Sequence, residues 1–119
     1  MIVEFTVPGV PRGKGRPRFA RTGRAYTPAE TAAYENLVKL AYLQAAGDAM
    51  GPQGAISLHV TAMMPIPASA SAKRRAAMLG APHTKRPDLD NVLKAVLDGL
   101  NGAAFNDDSQ VATITAQKV

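Results

Sequence analysis

Pro87-Asp88-Leu89-Asp90-Asn91 and Asn106-Asp107-Asp108-Ser109 hold four of the nine acidic residues of this 119-residue chain in two tight groups. Carboxylates gathered at one point repel each other, and proteins seldom tolerate this without a cation. Mg2+ suits an all-oxygen site, because it takes one or two carboxylates, keeps several waters and accepts phosphate oxygens. The chemistry such a site supports is phosphodiester hydrolysis, in which the metal activates water and neutralises charge on the phosphorus centre. Spacing then limits the arrangement. Two acids two residues apart point to nearly opposite sides of a regular helix, about 200° apart at 3.6 residues per turn. In an extended or capping conformation they can share a face. Asp88 and Asp90 therefore converge only at the mouth of a helix. Lys94 lies one turn beyond Asp90 and would aim a donor at developing negative charge. Asp98 follows one turn later and is expected to pair with Lys94.

Each of these residues also has an ordinary structural use. Asp at a helix start caps it and complements its dipole. Asp107-Asp108-Ser109 is common turn chemistry, and Lys94 alone reads as a solvated lysine. His59 and His83 have no partner spacing that suggests a ligand set, so they read as structural or surface residues. Spacing alone leaves both readings open.

The elements that must position these residues are legible. Leu89, Val92, Leu93, Val96, Leu97 and Leu100 fall at i, i+3, i+4, i+7, i+8 and i+11, an amphipathic helix with Asp90 at its start. Asn91, Lys94 and Asp98 lie on its polar side, and Asn101-Gly102 ends it. Residues 2–7 alternate as a first strand, stopped by Pro8-Gly9-Val10-Pro11. Thr27-Pro28-Ala29-Glu30 announces a helix, with Thr27 as cap, Pro28 at the first helical position and Glu30 completing a capping box. That helix should run to about Ala46 and bury Tyr34, Leu37, Val38, Ala41 and Tyr42, with Gly47 and Gly51-Pro52 closing it. Residues 55–63 alternate again, placing Ile56, Leu58, Val60 and Ala62 on one face. A short basic helix over roughly 71–79 would be capped by Ser69 or Ser71. Residues 111–116 form a last strand. The expected fold is α+β: one domain over residues 1–119, with a mixed β-sheet packed by helices.

Charge points to the ligand. Net charge is +5 and the pI is about 9.9. Arg12, Lys14, Arg16, Arg18, Arg21 and Arg24 crowd a Gly/Pro-containing stretch that reads as a loop or extended arm. Lys73, Arg74 and Arg75 form a second cluster, and Lys85-Arg86 a third. Basic surface around a separate acidic focus suggests a polyanion and a cation site in one protein. Gly13-Lys14-Gly15 is not a phosphate-binding P-loop, because no Gly-x-x-x-x-Gly-Lys-Ser/Thr opens a helix. Cysteine is absent, which excludes disulfides, zinc–thiolate sites and thiol nucleophiles. An apolar share of 46% supports a globular core. No apolar run spans a membrane, and Met1-Ile2-Val3-Glu4 lacks signal-peptide order, so a cytoplasmic protein is expected.

Taken in order, several blocks resemble one family. They are Pro8-Gly9-Val10-Pro11, Lys14-Gly15-Arg16-Pro17-Arg18, Tyr26-Thr27-Pro28, and Arg86-Pro87-Asp88-Leu89-Asp90-Asn91 with Lys94. Asp98-Gly99-Leu100-Asn101-Gly102 and Asn106-Asp107-Asp108-Ser109-Gln110-Val111 complete the series. The chain resembles the RusA family of Holliday junction resolvases of bacteria and their phages, from residue 2 to residue 115. The resemblance implies a mixed α/β subunit, a homodimer, and Mg2+-dependent cutting of four-way DNA junctions. It maps metal-binding acids to Asp88, Asp90 and Asp108, and a required lysine to Lys94, with Asp107 a weaker candidate. The basic arm and the Lys73-Arg74-Arg75 cluster would then grip phosphates. A two-fold dimer matches a junction of approximate two-fold symmetry. The sequence given stops at Val119, just after the last expected strand, where many members continue into another, which leaves the completeness of the sheet open. Two rival readings remain: a non-catalytic junction-binding protein, and a nuclease that prefers forks or flaps.

Overall fold

The computed structural model describes residues 2–16, 18–47 and 53–119; Met1, Pro17 and the expected Gly51-Pro52 helix stop lie outside the described residues. The chain order is β1 (Arg18–Phe19), β2 (Ala25–Tyr26), α1 (Ala29–Ala46), β3 (Ile56–Ala62), α2 (Ala72–Met78), α3 (Leu89–Leu100) and β4 (Val111–Lys118). β1 and β2 form an antiparallel ribbon, and β3 pairs in parallel with β4. A parallel pair needs a crossover, and α2 and α3 supply it. The expected α+β class holds. Among the described residues, no helix is long and apolar enough to cross a membrane.

α3 buries the stripe its periodicity marks: Val92, Val96 and Leu100 are buried, with Ala95 and Gly99 beside them. The core joins these to Tyr34, Val38 and Tyr42 of α1, Ala62 of β3, and Ala104 and Phe105 after α3. α1 and α3 approach each other closely at Gly99. A Cβ there would stand 2.7 Å from the Glu35 carbonyl oxygen and 2.9 Å from the Val38 Cβ, so only glycine permits this crossing.

Several local expectations are corrected. Residues 2–7 show the expected alternation, with Val3, Phe5 and Val7 packed against the core and Ile2, Glu4 and Thr6 exposed. They nonetheless join no ladder with the described residues, because alternation reports which face is covered and not whether an edge is paired. Phe5 instead meets Tyr42 edge-on, with ring centroids 5.7 Å apart. The α1 N-cap is Pro28, not Thr27, and it makes no side-chain cap bond, so the expected capping box is absent. Leu37 and Ala41 are only half-buried. Ser71, rather than Ser69, caps α2 by accepting a hydrogen bond from the Arg74 N–H at 3.2 Å.

Candidate metal and nucleic-acid site

The mouth of α3 presents two carboxylates. Asp88 is the N-cap, with extended backbone (φ −66°, ψ 142°), and Asp90 lies in the first turn. Asp88 makes no side-chain cap bond, so the commonest structural use of an aspartate here is not taken up. Both side chains are exposed, and neither forms an ion pair with a described residue. The loop leading to them is held from β4. The Lys118 ammonium donates to the Lys85 and Pro87 carbonyls at 2.6 and 2.7 Å, and the His83 N–H donates to the Lys118 carbonyl at 2.9 Å. Reading the sequence missed Lys118, since a separation of 31 residues from Pro87 leaves no periodic trace.

The root of the basic arm is docked on this mouth. A Cβ on Gly13 would lie 3.1 Å from the Asn91 Cβ and 3.2 Å from the Pro87 Cβ. The Lys14 N–H donates to the Asn91 carbonyl at 2.9 Å. Gly15 donates its N–H to the Thr31 hydroxyl at 3.1 Å, where a Cβ would come within 2.7 Å of that oxygen. The half-buried Lys14 ammonium donates to Glu35 and pairs with Asp98 at 2.8 Å. Burial works against that charge, but the hydrogen bonds and charges of Asp98 and Glu35 outweigh it and raise the pKa above the usual 10.5. The ammonium therefore stays charged through the neutral range.

This corrects the expected Lys94–Asp98 pair. Asp98 is taken by Lys14, which reaches it together with Glu35, and Lys94 is left exposed on the face of α3 that follows Asp90. Lys14 itself fastens the arm to two helices.

Beyond Gly15 the expected loop is in part a β-ribbon. Arg18 pairs with Tyr26 and Phe19 with Ala25, and the turn closes through Ala20 N–H to the Arg24 carbonyl at 2.9 Å. Arg16, Arg18, Arg21 and Arg24 are all exposed, as are Phe19 and Tyr26. Phe19, at 71% exposure, has no packing reason to be aromatic, a signal visible in the sequence only once the ribbon is known. A cleft lined by Gly13, Gly15, Arg16, Arg18 and Pro28 opens at the ribbon's base. Arg12 lies 3.9 Å from Glu30 in an exposed pair of little energetic weight. Lys73, Arg74 and Arg75 sit on α2, which buries none of its residues, and Arg75 also reaches the Pro67 carbonyl at 3.3 Å.

The second acid group divides its labour. Asp107 caps the 3-10 turn Asp108–Gln110 in a capping box with Gln110. Hydrogen bonds from Ser109, and one from the Asp108 backbone, hold the Asp107 carboxyl below the usual carboxylate range. Gln110 anchors the turn by donating to the Gly54 carbonyl at 3.1 Å, ahead of β3. Asp108 is left exposed.

The two acid groups do not meet within one chain. Asp88 adjoins the Lys118 end of β4, whereas Asp108 precedes Val111 at the other end. Eight residues of strand separate those ends by on the order of 20 Å. Among the described residues, no three Asp, Glu, His or Cys side chains gather closely enough to hold a metal ion. Asp88 and Asp90 by themselves remain a hard-oxygen pair of the kind Mg2+ accepts.

A family model described as "Endodeoxyribonuclease RusA" matches residues 8–119, a span that takes in the arm, both acid groups and β4. A protein of Bacillus subtilis (strain 168) described as "Uncharacterized protein YqaN" is 34% identical over 123 residues, covering 98% of this chain and 86% of that protein.

Proposed function

The chain belongs to the RusA family of endodeoxyribonucleases, and from that premise we propose that it is a Mg2+-dependent nuclease that resolves four-way DNA junctions as a homodimer. One observation carries the reading. The arginine-bearing arm is fixed at its root against Pro87 and Asn91, so a strand gripped by the arm is carried past Asp88 and Asp90. An arm of this charge placed elsewhere would support binding alone. Beside two exposed acids it supports cutting, which favours the nuclease over a non-catalytic binding protein.

Asp88 and Asp90 would hold the cation from one protomer. Asp108, at the opposite end of β4, would serve the partner's pair, so that each site takes two acids from one chain and the partner's Asp108. A Mg2+ held by these acids would supply polarisation of the scissile phosphate and activation of water. Lys94, exposed one turn beyond Asp90, donates to the phosphoryl oxygens as negative charge grows. Arg16, Arg18, Arg21 and Arg24 bind phosphates, and α2 adds Lys73, Arg74 and Arg75 on a second exposed surface. A two-stranded ribbon fits the major groove of a duplex arm. Phe19 and Tyr26 offer flat faces to bases unstacked at a branch point. Two sites related by the two-fold axis make the paired, opposed cuts that resolution requires. Such a substrate places the protein in the cytoplasm, with the chromosome.

The test is cleavage of a synthetic four-way junction by Asp90→Asn. Loss of cutting by about 100- to 1000-fold, with junction affinity retained, is the expected result. Cleavage at the normal rate would remove Asp90 from the mechanism. A panel of junction, fork, flap and linear duplex assigns the substrate, and faster cutting of forks or flaps would replace the junction reading. The arm is tested separately. Arg16→Ala combined with Arg18→Ala should flatten the plot of log affinity against log salt by about one unit per arginine; an unchanged slope would dismiss both as phosphate contacts.

A further inference from the structure

The ribbon at the end of the arm has two unlike faces. Arg18 pairs with Tyr26 and Phe19 with Ala25, and the Ala20 N–H reaches the Arg24 carbonyl at 2.9 Å. Residues opposite one another in an antiparallel pair share a face, and successive residues alternate between faces. One face therefore carries Arg18, Arg24 and Tyr26. The other carries Phe19 and Ala25, and no charge. Arg18 also lines the cleft at the arm's root beside Arg16, Gly13 and Gly15, so the charged face is the one continuous with that cleft. Phe19 stands on the back.

Packing does not account for that placement. Phe19 lies outside the core and outside the apolar residues packed on it. Among the described residues no ring stacks on it. Its cross-strand neighbour Ala25 is itself exposed and is too small to cover the ring. A lone exposed phenylalanine is ordinary on a protein surface. This one differs in its company. A strand of DNA gripped by the exposed Arg18, Arg21 and Arg24 brings its bases within reach of the ring.

We infer that Phe19 stacks on a base at the branch point and is the residue through which the arm prefers branched DNA to duplex. Magnitudes decide where such a ring can act. Stacking one base on an aromatic side chain raises affinity about 5- to 150-fold. Prising open a step of continuous duplex costs about as much, so in duplex the gain is cancelled and the arginines alone hold the strand. At an open branch point the stack is already interrupted, and the gain is kept. The arginines do not discriminate, because both forms offer them the same phosphates. Of the two exposed aromatics the register gives this role to Phe19, since Tyr26 stands opposite Arg18 among the phosphate contacts. The inference rests on the proposed function for its ligand, branched DNA, and not for any step of cutting.

The test measures binding without divalent ion, which leaves a synthetic four-way junction uncut and, through phosphate repulsion, open. Phe19→Ala should lose about 5- to 150-fold in affinity for the junction and keep its affinity for linear duplex of the same sequence. Its circular dichroism should match the wild type, since only an exposed side chain is removed. Its plot of log affinity against log salt should keep the wild-type slope, because no phosphate contact is lost. Phe19→Tyr, which retains the ring, should retain the preference. Tyr26→Ala should weaken junction and duplex binding by similar factors. The chain has no tryptophan, so Phe19→Trp installs a lone indole whose emission should be quenched by the junction and little changed by duplex. An unaltered junction preference in Phe19→Ala, equal quenching of Phe19→Trp by junction and duplex, or a junction-specific loss in Tyr26→Ala alone would each overturn the inference. A junction-specific loss in Phe19→Ala, in a protein that cuts no branched DNA when Mg2+ is supplied, would uphold the stacking and defeat the nuclease reading. An unaltered preference in a protein that resolves junctions would do the reverse.

Discussion

Mixing the Asp90→Asn and Asp108→Asn proteins is expected to restore strand cutting that neither protein shows alone. In a mixed dimer with shared sites, one site collects both substitutions, and the other receives Asp88 and Asp90 from one chain and an intact Asp108 from its partner. That dimer should nick one strand at a rate about 100- to 1000-fold above either parent, and it should not make the paired cut. If each chain built its site from its own three acids, every site in the mixture would carry a substitution and the mixture would stay inactive. A mixture of Asp88→Asn with Asp90→Asn is the control. Both changes fall in the same half-site, so no intact site can assemble in any dimer. Gel assays of nicked and resolved junction separate these outcomes. The expectation follows from the separation of the two acid groups along β4, and it probes the shared site without depending on which surface joins the chains.

Gly99→Ala carries the largest expected cost to stability. The added methyl would meet the Glu35 carbonyl oxygen at 2.7 Å and the Val38 Cβ at 2.9 Å. Neither can give easily, since one is helix backbone and the other belongs to a side chain with no exposed surface. Overpacking of this kind costs about 1–3 kcal/mol, and the backbone clash places Gly99→Ala toward the upper end. For a domain of this size the melting temperature should fall by about 10 °C. An unchanged melting temperature would mean that α1 and α3 can separate at little cost. Because Glu35 also bonds Lys14, any shift of α1 should loosen the arm as well and weaken DNA binding in parallel.

The helix that carries the candidate site is plain in the sequence because its environment is two-sided. An apolar stripe at helical spacing needs one core and one solvent, and α3 has both. β3 was legible for the same reason, since its burial alternates along the strand; β4 was legible only from its β-forming residues, because 112–115 are all exposed. What failed was anything that depends on a partner in space. Residues 2–7 alternate like a strand, yet alternation cannot say whether a neighbouring edge exists. Lys14 carries the same charge as its neighbours and sits among the same glycines. Only the approach of Glu35 and Asp98 from two helices sets it apart from the exposed basic residues of the same arm.

The candidate acids were found by type and spacing, but not their relation. An amphipathic helix between two acid groups suggests a short path from one to the other. The parallel crossover instead returns the chain so that β4 begins far from where α3 begins. Direction of travel is a tertiary property, and local pattern does not encode it. Asp107 and Asp108 are alike in sequence as well. The cap geometry separates them by giving one carboxylate to Ser109 and leaving the other in solvent.

The lysine that bolts the arm to two helices also sets what can swing. Up to Gly15 the segment is bonded to α1 and α3 and travels with them as one body. From there to Tyr26 the hydrogen bonds among the described residues stay inside the ribbon. Under the proposed function, the ribbon would exchange one stretch of sugar-phosphate for another while its root keeps its distance from the helix mouth. On that reading, searching along a strand and holding the reactive geometry would be separable, and a ribbon variant that slows the search would leave the cutting step unchanged.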